Sequence, residues 1–581
     1  MPSVNLKAHL LFVLLSGASV RAEETVWSAF AFVLNGERTP SIGPSTSDSS
    51  LTPLGAQQML TQGSVLRRRW LANPNTTATN TSGESTTAPI AGIERIAIDN
   101  SELSIYSSKD SYATAGALAF MQGLYPPTSQ AFSAGNGGQE AAILANGSLI
   151  DFPLDGYMYP NIHTVSISDP ESVWLQGHVS CTEYYKATGS IRGDPRIDEL
   201  YNATPRHYQE LLTTVFDGTL PVSMASFAYA DDIYDYALYQ YTHNETIQQR
   251  LNMSDITWLA EMASIQQFAK NGDLSISGNT EGDSIRAIAG RTLSAKVVTQ
   301  FQSHISSRGH GNKLTLMFGS YQPMLAFFSL SGLSHGQSSG LFQEMPLAGA
   351  AMVFELFSET DATDFPDTDD LWVRFLYRNS TDEDAPLYKY PLFGNGLSED
   401  RIKYRDFTTS IHQFSINDMS TWCDTCDAVA LFCNGVNRNS AGGTTTTQRG
   451  RRTSSLSPAV AGAIGAVAAI AAIVLGAVLL AWFGGFRFTR LKTGRQSSLG
   501  GFKGAEKMKS DNDVSIARNG ARHERVGSWE LGGPGRPPIS EDTSADLKNE
   551  PTFGASLTRD AEDDTDSIIM SRAPVKPFQS V

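Results

Sequence analysis

The sequence is short of basic charge. Its 581 residues carry 44 Lys and Arg against 60 Asp and Glu, a net charge of −16. No positive field exists to neutralise phosphates, so nucleic acid is excluded as a partner and the acidity serves solubility. Cysteine is scarce as well: Cys181, Cys423, Cys426 and Cys433 are the whole set. An even number in an oxidising compartment implies two disulfides, with three pairings open. A metal site on Cys423-x-x-Cys426 is the alternative to the disulfides, and the absence of a nearby histidine counts against it. No internal repeat is present. The length fits two to four domains or one large domain with appendages, and an apolar content of 41% suffices for a sizeable core.

Charge is missing altogether from Ala459 to Phe483. That run is long enough to cross about 30 Å of hydrocarbon, and a transmembrane helix is predicted over residues 458–484. The apolar run Leu10–Leu15 is too short to span. With Lys7 before it and Val20-Arg21-Ala22 after it, residues 1–22 read as a cleaved secretory signal. Residues 23 to about 457 then face outward, a type I, single-pass arrangement. Sequons agree: Asn75, Asn80, Asn146, Asn202, Asn244, Asn252 and Asn379 carry Asn-x-Ser/Thr, and none follows the membrane segment. Residues 437–457 are Ser/Thr/Gly-rich and read as an O-glycosylated stalk. Residues 485–581 are Gly, Ser, Asp and Pro-rich with few aromatics, the composition of a disordered cytoplasmic tail. Such a tail leaves room for a cytoplasmic partner.

Between these ends, residues 23–436 look globular. Val26–Leu34 reads as a buried strand, followed by the turn Asn35-Gly36-Glu37-Arg38-Thr39-Pro40. Thr52-Pro53-Leu54-Gly55 starts a helix with Gln57–Arg69 in helical spacing. Lys313–Phe318 reads as a strand and Met324–Leu330 as the helix after it. Strands alternating with helices point to a mainly parallel sheet covered on both faces. A Gly-containing turn at a strand's end is a usual anion site in such folds.

These segments resemble the histidine acid phosphatases, the phytase-like branch of the phosphoglycerate-mutase-like superfamily. That family opens with a strand and Arg-His-Gly-x-Arg-x-Pro, matched here by Leu34-Asn35-Gly36-Glu37-Arg38-Thr39-Pro40. Leu51–Gly55, Tyr106–Ser108 through Gly123–Pro126, Asp151–Tyr157, Gly319–Met324, Trp372–Tyr377 and Trp422-Cys423 follow in family order. The resemblance covers about residues 26–434. It implies an α/β three-layer sandwich with a helical insertion at about 127–290, and no cofactor.

It also implies a chemistry that this sequence departs from. Family members attack a phosphomonoester with a histidine, hold the phosphoryl oxygens with arginines, and protonate the leaving alcohol with a carboxylic acid. Here the nucleophile position is Asn35 and the preceding arginine is Leu34. Two further arginines become Tyr106 and Tyr112, and the final His-Asp pair becomes Ser320-Tyr321. Arg38 is retained. The expectation is a pseudophosphatase with a binding or scaffolding role, whose ligand is a small molecule or glycan. The alternative is an active acid phosphatase or phytase-like phosphomonoesterase using a relocated base, for which His310 and His335 flank the right strand and helix. The three tyrosines either line a cavity or fill the old pocket.

Overall fold

The computed structural model describes residues 24–440, apart from 44–47, 74–85, 130, 133–137, 276–282, 337, 360–363 and 397. The expected signal (1–22), most of the stalk, the membrane span (458–484), the tail and the sequons at Asn75 and Asn80 lie outside the described residues. Among the described residues, no helix is long and apolar enough to cross a membrane.

Eight strands form one sheet: β1 (Thr25–Leu34), β2 (Leu103–Ser108), β3 (Ile162–Val165), β4 (Leu314–Gly319), β5 (Ala351–Ser358), β6 (Leu371–Arg378), β7 (Tyr388–Tyr390) and β8 (Ile402–Lys403). Their order is β3-β2-β4-β1-β5-β6-β7, with β8 also against β6. The first four are mutually parallel, whereas β5 to β8 pair antiparallel. The sheet is therefore mixed, not mainly parallel. Among the described residues no crossover helix joins β5 to β6 or β6 to β7, and such direct connections favour the antiparallel pairing seen there. Every residue of β5 is buried, so its pattern could not betray its direction.

Strand β1 sits at the centre and is buried on both faces. Ala29, Ala31 and Val33 join one core while Phe30, Phe32 and Leu34 join the other. The first core is closed by α1 (Pro53–Trp70) and α2 (Ser111–Leu124) through Met59, Leu66, Phe120 and Leu124.

Residues 182–271 make a helical cap from α3 (Pro195–Ala203), α4 (Pro205–Thr214), α5 (Ala230–His243) and α6 (Met253–Asn271). The cap has its own core of Tyr208, Leu211, Phe216, Ile233, Tyr236 and Leu259. Strand β3 falls within the stretch 127–290 that the sequence suggests as a helical insertion, but it belongs to the sheet edge.

The second face of the sheet is covered by α7 (Ile288–Ser306), α8 (Gln322–Leu330) and α9 (Tyr404–His412), with Leu293, Phe301, Phe327 and Phe407 inward. Helices therefore lie on both faces, as a three-layer sandwich requires. Two further helices, α10 (Met419–Cys426) and α11 (Leu431–Ser440), complete the described chain. Of the three pairings, the disulfides are Cys181–Cys426, which ties the entry of the cap to α10, and Cys423–Cys433, which ties α10 to α11.

One ion cluster is wholly interior. Glu355 of β5 is 0% exposed and accepts from Arg69 Nε at 2.5 Å, Arg374 Nε at 2.6 Å and Trp70 Nε1 at 2.7 Å. Burial pushes its carboxyl upward, but the two guanidinium groups and the indole hold it well below the usual range.

Candidate functional site at the strand ends

The parallel strands β1 and β4 end side by side, with Leu34 opposite Gly319. Residues after the carboxyl ends of such strands line the usual ligand crevice of an α/β sheet. Leu34 is buried in the core on the α8 side and does not reach the crevice surface. Asn35 is held by its backbone: its N–H donates to Gly319 O at 3.3 Å, and its carbonyl accepts from Gly349 N at 3.0 Å. Its side-chain amide donates to Gly36 O at 3.0 Å. The turn then presses on the start of α1. A Cβ on Gly36 would sit 2.3 Å from Gly55 O, and one on Gly55 would sit 2.0 Å from Glu37 O. Thr52 caps α1 by accepting from Gly55 N at 2.9 Å and donates to Glu37 Oε2 at 2.6 Å. The matched glycines and threonine therefore secure the crossing of turn and helix.

Arg38 is half-buried and lies over the Tyr112 ring at 5.4 Å, while its Nη1 is 3.2 Å from Asp235 Oδ2. Tyr321, at the start of α8, donates its hydroxyl to Asp231 Oδ2 at 2.6 Å. Gln267 Nε2 donates to the same oxygen at 3.2 Å. His243 Nε2 lies 2.8 Å from Glu37 Oε2. Asp231, Asp235 and His243 all come from α5, spaced by four and eight residues, so they share one face of that helix. The opposite face carries Ile233, Tyr236 and Ala237 into the cap core. One amphipathic helix thus lowers two carboxylates and an imidazole onto the strand ends.

The electrostatics follow from this crowding. Burial pushes the Asp231 carboxyl up to about 6; Asp235 and Asp232 add to the rise, while Tyr321 and Lys270 oppose it. Burial likewise raises Asp235, against the Arg38 charge, and Asp232, against Lys270. Lys270 is itself lowered by burial. Tyr112 and Tyr321 are raised, burial first, and stay neutral. Carboxylates outnumber cations here, the reverse of what an anion site needs.

Other sequence-selected residues are elsewhere. Tyr106 contacts Lys296 Nζ at 4.6 Å and the His163 ring at 5.5 Å, towards α7. Ser320 follows β4 and is half-buried. His310 precedes β4, so the six residues of that strand, about 20 Å, separate it from Ser320. His335 follows the nine residues of α8, about 13 Å beyond Tyr321. Both are exposed. His243, Asp231 and Asp235 were not singled out by sequence reasoning, although their helical spacing is readable. Nothing local ties them to a turn two hundred residues upstream. Of the described sequons, Asn146, Asn202, Asn244 and Asn252 are exposed. Asn379 is half-buried and accepts from Leu347 N at 2.8 Å.

Among solved structures, the phytase of Citrobacter braakii is 12% identical, covering 70% of this chain and 100% of its own, with a TM-score of 0.41. The phytase of D. castellii is 10% identical, covering 73% and 86%, with a TM-score of 0.42. The multiple inositol polyphosphate phosphatase of Bifidobacterium longum is 13% identical, covering 67% and 92%, with a TM-score of 0.38. No curated protein matches the sequence. The family model of the histidine phosphatase superfamily (branch 2) matches residues 19–378, more than half of the sequence, and the chain belongs to that family.

Proposed function

We propose that the outward-facing domain is a pseudophosphatase, a member of its family that keeps the fold for binding or scaffolding and does not hydrolyse phosphomonoesters. The observation that carries this reading is the α5 face: Asp235 is paired with Arg38 and Asp231 with Tyr321. A phosphate dianion entering there would displace one carboxylate and face the others. The Asn35 amide nitrogen also has no lone pair available for attack. Purified full-length protein is expected to turn over p-nitrophenyl phosphate and phytate no faster than its Arg38→Ala variant between pH 4 and 7.5. Turnover that Arg38→Ala abolishes would defeat the reading.

A second reading, a phosphomonoesterase with a relocated base, draws on one contact. His243 lies against Glu37 in the motif turn, closer to the strand ends than His310 or His335. It requires that His243→Ala remove whatever activity exists.

The rest of the chain fits a type I, single-pass glycoprotein with a cytoplasmic tail. The exposed sequons and the two disulfides support an oxidising, outward location. Glycosidase treatment should lower the apparent mass of the protein, and protease added to intact cells should spare the tail. A full-length chain unaffected by glycosidase would count against the outward location.

A further inference from the structure

A cleft of about 920 Å³ opens between the cap and the segment 343–347, beside α5 but apart from the strand-end residues. Its volume lies in the range of small-molecule sites. The walls come from α3, α5 and α6. Tyr234 and Phe268, both half-buried, supply aromatic surface, and Phe268 lies so close to the Gly272 backbone that a Cβ there would meet its ring at 2.7 Å. The missing side chain at Gly272 thus lets the ring lie against the end of α6, where it lines the cleft.

The polar lining is one-sided. Arg196 is the sole arginine or lysine among the described lining residues, and Asp194 and Asp273 already hold it at 2.7 and 2.9 Å. Glu199, Glu261 and Glu344 are exposed along the same cleft; beyond Arg196 its described lining holds no lysine or arginine, and His335 is its one histidine. Aromatic faces beside unmatched carboxylates attract organic cations through the ring quadrupole and by direct charge attraction. Anions meet the opposite field. Neutral sugars gain nothing from the charge.

We propose that this cleft binds a small organic cation of the polyamine type, its amino groups set against Glu199, Glu261 and Glu344 and its methylenes on Tyr234 and Phe268. The inference goes beyond the pseudophosphatase reading and uses none of the residues of the strand-end site, so either can fail alone.

Calorimetric titration of the full-length protein with spermidine tests it. One-site binding is expected, weakening as salt rises from 0.05 to 0.3 M, as an exposed charge interaction must. The double variant Glu261→Gln/Glu344→Gln should bind about tenfold more weakly, and Phe268→Leu, which keeps the packing, about threefold. Undiminished binding in the double variant would place the cation elsewhere on an acidic protein and overturn the assignment. Equal binding of glucose, or no heat with spermidine, would overturn it as well.

Discussion

Two charged clusters sit on the same sheet and obey opposite rules. Behind β5, Glu355 is fully buried yet matched by Arg69 and Arg374, and its carboxyl is held low. At the ends of β1 and β4, Asp231, Asp232 and Asp235 share Arg38 and Lys270, and their carboxyls are pushed up. The interior cluster satisfies its charges one against another and behaves as a structural joint. The strand-end cluster keeps an uncompensated excess of carboxylate, so its charges strain one another instead of joining the elements that carry them.

Substitutions can break that contrast. The largest effect is expected inside: Glu355→Gln leaves the buried Arg69 without a carboxylate partner and Arg374 with Glu24 alone, and should cost about 3–5 kcal/mol in urea unfolding. At the strand ends, Arg38→Ala removes a part-exposed partner and should cost only about 1 kcal/mol at pH 7.5. That cost should shrink as pH falls, because Asp235, already raised by burial, takes up its proton sooner than an ordinary carboxylate. The smallest effect has the opposite sign. Asp231 keeps its proton in the folded protein up to about pH 6, against an ordinary value near 3.8. Its contribution to stability is therefore full below pH 4 and lost as pH rises through 6. Asp231→Asn, neutral throughout, should melt about 1 °C higher than the parent at pH 7.5 and alike at pH 4. A rise at both pH values would mean that charge is not what strains the cluster.

Much of the fold was legible. The apolar run of β1, the Thr52 cap of α1, and the β4–α8 unit lie within two residues of where spacing puts them. These features are local: a buried run, a capping hydroxyl, a proline at the first helical turn. The antiparallel half was not legible, because strands buried on both faces look alike whichever way they run. The disulfide partners were equally open, since pairing depends on where α10 folds back. The site was half legible. The motif gave Asn35, Arg38, Tyr112 and Tyr321, but not α5, which meets them only through tertiary folding. His310, a candidate only for the relocated-base alternative, is exposed at the start of β4, away from Ser320. A residue close to β4 in sequence can stand at the wrong end of it.

The contact between Gly36 and Gly55 reverses what a mutational scan of this motif would report. In an active phosphatase the residue at the nucleophile position is the one that tolerates nothing. Here a side chain at Gly36 would drive into the Gly55 carbonyl and push the opening turn off the helix, whatever the protein binds. Asn35 offers its neighbours a backbone that most residues could supply. A library screened for expression should therefore be depleted at Gly36 and Gly55 and nearly flat at Asn35. The motif's outline is maintained by architecture, and its most telling letter is free to drift.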